Sequence, residues 1–388
     1  MNRGRTYLDW NATAPLRPEA REAMLAALDV VGNPSSVHAE GRKARALIED
    51  ARERIAAVLH VRPADVFFTS GATEAAAWVL TPNTAFGDRK AGPAVLLAGA
   101  TEHVCVLHGH RFPPEQVEHI AVEDGLVDLS VLEARLAEIA KGSGRAMLAV
   151  QAANNETGVL QLTTRIAELA RVAGAVFVCD AVQSFGRPSC DAQASGADVL
   201  LLSAHKIGGP KGVGAVVLVG DRVRPEPLLR GGGQERRQRS GTENVAGIAG
   251  FAAAVQVAAA EGCDFAPRAR RLQQRLEAGL RAIRPDTVVF GTKAMRLANT
   301  TCFAAPGISA ETALIALDLE GIAVSSGSAC SSGKVGSSHV LAAMGVAPTL
   351  AKGAIRVSTG PTTTEADIDT FLSAWTKINS RPATRKVA

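Results

Sequence analysis

Lys206 follows directly on an apolar run in VLLLSAHK, and Asp180 closes another in AVFVCD. A lysine amine forms an imine with an aldehyde, and a carboxylate beside a ring nitrogen holds a proton on it. Lys211 competes as the amine, but Lys206 stands immediately after the run. Other apolar runs end the same way: VLLAGATEH delivers His103, and MLAVQAANN delivers Asn154 and Asn155. Gln183 lies just beyond Asp180, and Ser203 and His205 flank the lysine. Singly, each reads better as a helix cap or a satisfied turn residue. Together they mark one polar site.

The elements that must position these groups are short apolar runs alternating with helical patterns, which signals α/β architecture with a mainly parallel sheet. In residues 42–59, Ala44, Leu47, Ile48, Ala51, Ile55, Val58 and Leu59 recur at helical spacing, with charges on the other face. Open α/β sheets bind ligands beyond the carboxyl ends of their strands. The glycine-rich IGGPKGVGAVVLV after Lys206 reads as a tight turn into a further strand. No helical pattern follows it, which excludes a dinucleotide or P-loop motif.

From about residue 262 the texture changes. A charged helix over 268–284 leads to TVVF, NTTCFAA, an apolar helix over 310–320, GIAVSS, AIRVST and a last helix near 364–378. The expected organisation is a large domain over 15–262 with a seven-stranded-type sheet flanked by helices. A small α+β domain from 1–14 and 263–388 accompanies it, with the break at Asp264–Pro267.

A lysine and an aspartate at strand ends are what pyridoxal phosphate requires, the ring then serving as an electron sink. Its phosphate needs donors, and the FFTSGATE stretch reads as a strand end opening into a helix whose free N–H groups would favour an anion. The same Ser-Gly-x-Thr pattern is also an ordinary N-cap. Residues 325–338, SSGSACSSGKVGSS, have linker composition, but they carry Cys330. A cysteine on a polar loop is better explained by reactivity than by packing. The stretch 230–244, RGGGQERRQRSGTEN, is either a solvated basic loop or an anion contact across a subunit interface; composition does not choose.

The bulk properties exclude several classes. Of 388 residues, 47% are hydrophobic and 21% charged, so the chain can bury a core and is unlike a disordered one. A formal charge of +4 with no aromatic-interleaved basic stripe gives no reason to expect nucleic acid. Val245 to Ala260 is too short for a bilayer span and is expected to pack as a helix, so no membrane role is expected. The opening MNRGRTYLDWNATAPL has no signal-peptide core. The six cysteines form no CxxC pair and no zinc spacing, so no metal site is expected and a reducing, cytoplasmic setting fits best.

On these residues the chain resembles the NifS/IscS-type cysteine desulfurases, within the class V aminotransferase group of fold-type I pyridoxal-phosphate enzymes. The matching stretches are GNPSSVH (32–38), FTSGATEA (68–75), TEH (101–103), ANNETG (153–158), DAVQS (180–184), SAHKIGGPKGVG (203–214), GGGQERRQRSGTEN (231–244) and SSGSACSSG (325–333). SSGSAC is specific to the desulfurase branch.

The resemblance implies that Lys206 is the Schiff-base lysine and moves the substrate Cα proton. It implies that Asp180 pairs with the ring nitrogen, Gln183 with the phenolic oxygen, and that His103 stacks on the ring. Ala72, Thr73, Ser203 and His205 would hold the phosphate, with Thr242 reaching it from the second subunit of a homodimer. Asn155 and Arg356 would fix the substrate carboxylate. Cys330 would take sulfur from L-cysteine as a persulfide, leaving L-alanine, and pass it to an iron–sulfur scaffold or another sulfur-transfer acceptor.

Trp10 stands where the family often has Asn or His, Gly360-Pro361 replaces a Gly-Arg pair, and the last residues are RPATRKVA, without the longer tail of the housekeeping branch. Neither of the first two is expected to be catalytic, and the third leaves the acceptor open. The alternatives are a selenocysteine lyase or small-amino-acid aminotransferase of the same fold, or a non-catalytic assembly scaffold.

Overall fold

A computed structural model describes residues 4–87, 92–142, 144–186, 195–326 and 338–380. The chain divides into two compact units, the larger made of 13–154 and 160–263, the smaller of 1–12, 155–159 and 264–388. The sequence boundaries differ by one or two residues, and they had left 155–159 in the larger domain. That segment joins the smaller unit through its own bonds: Leu297 N donates to Gly158 O, and Val159 bridges to Arg296.

The larger unit holds a seven-stranded sheet. Its strands are β1 (Val66–Thr69), β2 (Val95–Gly99), β3 (Val117–Ile120), β4 (Ala146–Gln151), β5 (Val176–Asp180), β6 (Val199–Ser203) and β7 (Gly214–Leu218). Their order is β1-β7-β6-β5-β4-β2-β3, parallel from β6 to β3, with β7 antiparallel to both neighbours. The expected hairpin after Lys206 is the β6–β7 pair.

Strands β2, β4, β5 and β6 are buried along their whole length, so they read as continuous apolar runs rather than alternating ones. Alternation survives in the packing. Leu97, Leu148, Val150, Phe177, Leu200 and Leu202 enter one core, whereas Leu96, Met147, Ala149, Val176, Val178 and Leu201 enter another. Each buried aliphatic side chain contributes roughly 2 kcal/mol, which holds the sheet as a rigid platform.

Helix α1 (Pro18–Leu28) is followed by α2 (Ala39–Leu59). His38 caps α2 by accepting from Gly41 N, and His60 ends it in the left-handed region. The apolar face expected from the sequence is buried at Ala44, Ile48, Ala51, Ile55 and Leu59. Arg52, assigned to a charged outer face, is buried too.

The smaller unit is built on an antiparallel sheet of β8 (Val288–Val289), β9 (Thr300–Ala304), β10 (Ser325–Ser326) and β11 (Ile355–Ser358), ordered β8-β9-β11-β10. Phe303 of β9 meets Trp375 edge-on at 5.2 Å, and Phe371 lies beside both. This α+β unit follows the sequence expectation. The two units do part at Asp264, within the expected stretch, but no loop marks the boundary. One helix runs from Val245 to Ile283 with Pro267 inside it. Proline removes one helical hydrogen bond, yet Leu272, Leu276 and Leu280 stay buried on its far side and continue the helix.

Candidate active site

In the larger unit β2, β4, β5 and β6 are parallel, so Gly99, Gln151, Asp180 and Ser203 all finish at one edge. Strand β1 runs the same way, because its two antiparallel steps through β7 restore its direction. Asp180 lies between Leu201 and Gln151 in the pairing, and two residues on along β6 Ser203 sits opposite Gly214, itself opposite Thr69. Lys206 ends a short turn of 3-10 helix, Ala204–Lys206, directly after β6. Gly214 is required here: a Cβ would stand 2.5 Å from Leu202 O and 2.7 Å from Gly71 Cα.

The Asp180 side chain accepts from Val182 N at 2.9 Å. Burial lifts its carboxyl to about 6, against the pull of that bond and of Lys206. His205 points the other way. Its Nδ1 lies 3.2 Å from Thr13 Oγ1, and burial together with Lys206 and Lys211 lowers it to about 4, so it is a neutral imidazole. His103 caps the short helix Val104–Leu107, its Nδ1 accepting from Cys105 N at 3.2 Å, which leaves Nε2 to carry the ring proton. Gln183 and Ser203 are buried.

Ala72 and Thr73 open helix α3 (Ala72–Val79), whose N-cap Gly71 supplies no side-chain bond to its N–H groups. The turn before it is braced by Glu74, which accepts from Ser70 N at 2.8 Å and from Arg239 Nε at 2.8 Å. Burial opposes the Glu74 anion, but those bonds hold its carboxyl below the usual value. Exposed Thr242 lines a cavity of about 210 Å³ with Thr69, Ser70, Gly212, Arg239 and Asn244.

The remaining residues singled out from the sequence lie in the smaller unit. Buried Arg356 on β11 donates from Nη1 to Asn155 O at 2.9 Å and from Nη2 to Asp9 Oδ1 at 2.8 Å. Its buried Nε meets no acceptor among the described residues. Next to Asn155, buried Glu156 accepts from Ser338 Oγ at 2.5 Å. Burial raises Glu156 to about 7, partly offset by Ser338 and Arg356. Cys330 lies outside the described residues.

The larger unit thus brings together a lysine amine, a buried carboxylate, a neutral imidazole and helix N–H groups without a side-chain cap. That donor set fits pyridoxal phosphate: the amine for the aldehyde, the carboxylate for the ring nitrogen, the N–H groups for a phosphate. Sequence reasoning passed over four charged residues that support it: Glu74, Glu102 and the buried pair Arg52–Glu235, with Nη2–Oε1 at 2.7 Å. Arg52 carried a signal, since it shares the apolar face of Ile48 and Ile55.

The class-V aminotransferase family model matches residues 6–371. A cysteine desulfurase of Cereibacter sphaeroides is 41% identical over 375 residues, covering 95% of this chain and 94% of the relative. An IscS-like cysteine desulfurase of Mycobacterium tuberculosis is 39% identical over 94% of each chain. Among solved structures, a NifS-like protein from Rickettsia africae matches with a TM-score of 0.85 and 34% identity, over 97% of this chain and 100% of that one.

Proposed function

The chain belongs to the class-V aminotransferase family, and from that premise we propose that it is a cysteine desulfurase, taking sulfur from L-cysteine onto Cys330 and releasing L-alanine. The observation that carries this is the edge where His103, Asp180 and the His205–Lys206 pair stand at or just beyond the ends of three parallel strands, β2, β5 and β6. When bound, pyridoxal phosphate supplies an electron sink for charge developed at the substrate Cα. Everything else is work for the chain.

Lys206 Nζ would hold the cofactor aldehyde and would move the substrate Cα proton. Asp180 keeps a proton on the ring nitrogen, and its burial makes that interaction strong. Gln183 donates to the phenolic oxygen, and His103 covers the ring face. The N–H groups of Ala72 and Thr73, the Ser203 hydroxyl and the His205 ring hold the phosphate. Arg356 and Asn155 orient the substrate carboxylate, a role supported by the open Nε of a buried guanidinium. The Cys330 thiol gains one sulfur atom as a persulfide while cysteine becomes alanine, so atoms balance without an external oxidant.

The persulfide then serves iron–sulfur cluster assembly or another sulfur acceptor, in the cytoplasm. The functional form is a homodimer in which Thr242 reaches the partner's phosphate. Leu25, Leu28, Val31 and Val37, all exposed along one stretch of chain, support such an interface. Neither nucleic acid nor membrane takes part.

Purified protein given L-cysteine is expected to release alanine, and peptide mass mapping is expected to place an added sulfur on Cys330. A Cys330→Ser protein that keeps turning over cysteine into alanine at the wild-type rate would refute the assignment. Sedimentation is expected to give a dimer; a fully active monomer would contradict that form.

A further inference from the structure

Glu102, between Thr101 and His103, is a buried carboxylate at this edge that the proposed chemistry leaves unused. Its side chain is 1% exposed. Oε1 accepts from Gln151 N at 2.7 Å, at the last residue of β4. Gln151 is also the strand partner of Asp180. The Gln151 side chain returns to the same turn, donating to Thr101 O at 2.6 Å and Thr101 Oγ1 at 3.3 Å. Asn154 Nδ2 adds a second bond to Thr101 O at 3.1 Å. The turn that presents His103 and the strand row that presents Asp180 are therefore fastened together through Glu102 and Gln151.

Two carboxylates in one buried cluster do not both ionise at ordinary cost. Burial first, and the charge of Asp180 second, push Glu102 well above the carboxylate range, whereas Lys206 acts to favour the anion of Asp180. A cationic ring nitrogen against Asp180 would divide the pair further. As a neutral acid, Glu102 offers one acceptor oxygen, already used by Gln151 N, and one O–H donor.

Resting on the cofactor assignment above, we propose that Glu102 is a positioning residue for Asp180: held as a neutral carboxylic acid, it leaves Asp180 the sole anion for the ring nitrogen and ties that carboxylate to the turn carrying His103. Glutamine has the same shape, one acceptor and a donor, and should replace it; alanine and methionine should not.

The test needs no turnover. Apo proteins are titrated with pyridoxal phosphate for a dissociation constant, and the absorbance band of the bound cofactor is followed against pH. Glu102→Gln is expected to match wild type within about twofold in affinity, with the same pH midpoint. Glu102→Ala, and Glu102→Met if the alanine protein does not fold, are expected to bind about tenfold more weakly with a displaced midpoint. Equal weakening in Glu102→Gln would overturn the neutral-acid role, and wild-type behaviour in Glu102→Ala or Glu102→Met would overturn the positioning role. Asp180→Asn separates the two levels: if it binds the cofactor as wild type does, the cofactor assignment fails rather than the role of Glu102.

Discussion

Gly360 lies flat against the indole of Trp10: a Cβ built on it would stand 1.9 Å from Trp10 Cδ2 and 2.1 Å from Cε3. Trp10 departs from the desulfurase pattern, and the other departure, Pro361, directly follows the glycine on which the indole packs. The indole is also fixed at its other end, Nε1 donating to Tyr7 O at 3.2 Å. Gly360→Ala should therefore overpack the site and cost about 2 kcal/mol. The cost should shrink in a Trp10→Ala background, where there is room for the methyl. Urea unfolding of both single variants and the double variant measures this, and strict additivity would exclude the coupling.

Glu235, Arg236 and Arg237 occupy the left-handed region in succession, at φ of 44, 54 and 66°. Side chains with a Cβ adopt that conformation at a cost of about 1 kcal/mol each. Arg52 and Glu235 hold the segment in place, and Arg236 lies over the Phe67 ring at 5.0 Å. Arg237 is the residue to relieve. Arg237→Gly is expected to raise stability by roughly 1 kcal/mol, offset in part by the looser unfolded chain, and thermal unfolding reads the sign.

The buried Glu235 carboxylate takes Arg52 Nη1 and Nη2 at 2.8 and 2.7 Å and also accepts from Phe68 N at 2.9 Å. It thereby braces the strand that runs into the Thr69–Thr73 loop. Breaking such a pair from one side strands the other charge, so Glu235→Ala should cost about 3 kcal/mol or more. Replacing both residues, as Arg52→Met with Glu235→Leu, should restore much of that loss. Chemical denaturation of the three proteins decides.

Stability of the apo protein should depend on pH in a way the cofactor alters. Asp180 and Glu156 titrate at about 6 and about 7, above the ordinary 3.8 and 4.5. Raised acids give their full contribution below the ordinary value and lose it as pH climbs through the folded value, about 1.4 kcal/mol per unit. His205, lowered from 6.5 to about 4, works oppositely and loses stability as pH falls across that interval. Between pH 4.5 and 6 these two acids, with Glu102 raised in the same direction, outweigh one histidine, so apo stability should fall with rising pH. Asp180→Asn should flatten that slope, and saturating pyridoxal phosphate should flatten it as well, because a cationic ring nitrogen favours the Asp180 anion. Urea midpoints at pH 4.5, 5.5 and 6.5 measure it; an unchanged slope in Asp180→Asn would rule out this origin.

The strand-end chemistry was legible in the sequence because a fully buried parallel strand has nowhere to put a polar residue except at its end. Asp180 and Lys206 are visible for that reason, and the hairpin after Lys206 follows from its glycines. Three features were not visible. Residues 155–159 join the smaller unit through long-range bonds to Arg356 and Leu297 that leave no local pattern. Pro267 reads as a break, but its helix continues on packing of leucines further along. Glu102 sits where a polar turn residue is unremarkable, and only its burial against Gln151 and Asp180 sets it apart.

The account depends on which amine holds the cofactor. Borohydride reduction of the protein with bound pyridoxal phosphate, followed by peptide mapping, is expected to leave a pyridoxyl group on Lys206 and no other residue. A label on Lys211, or a protein from which the cofactor still dialyses away after reduction, would contradict it.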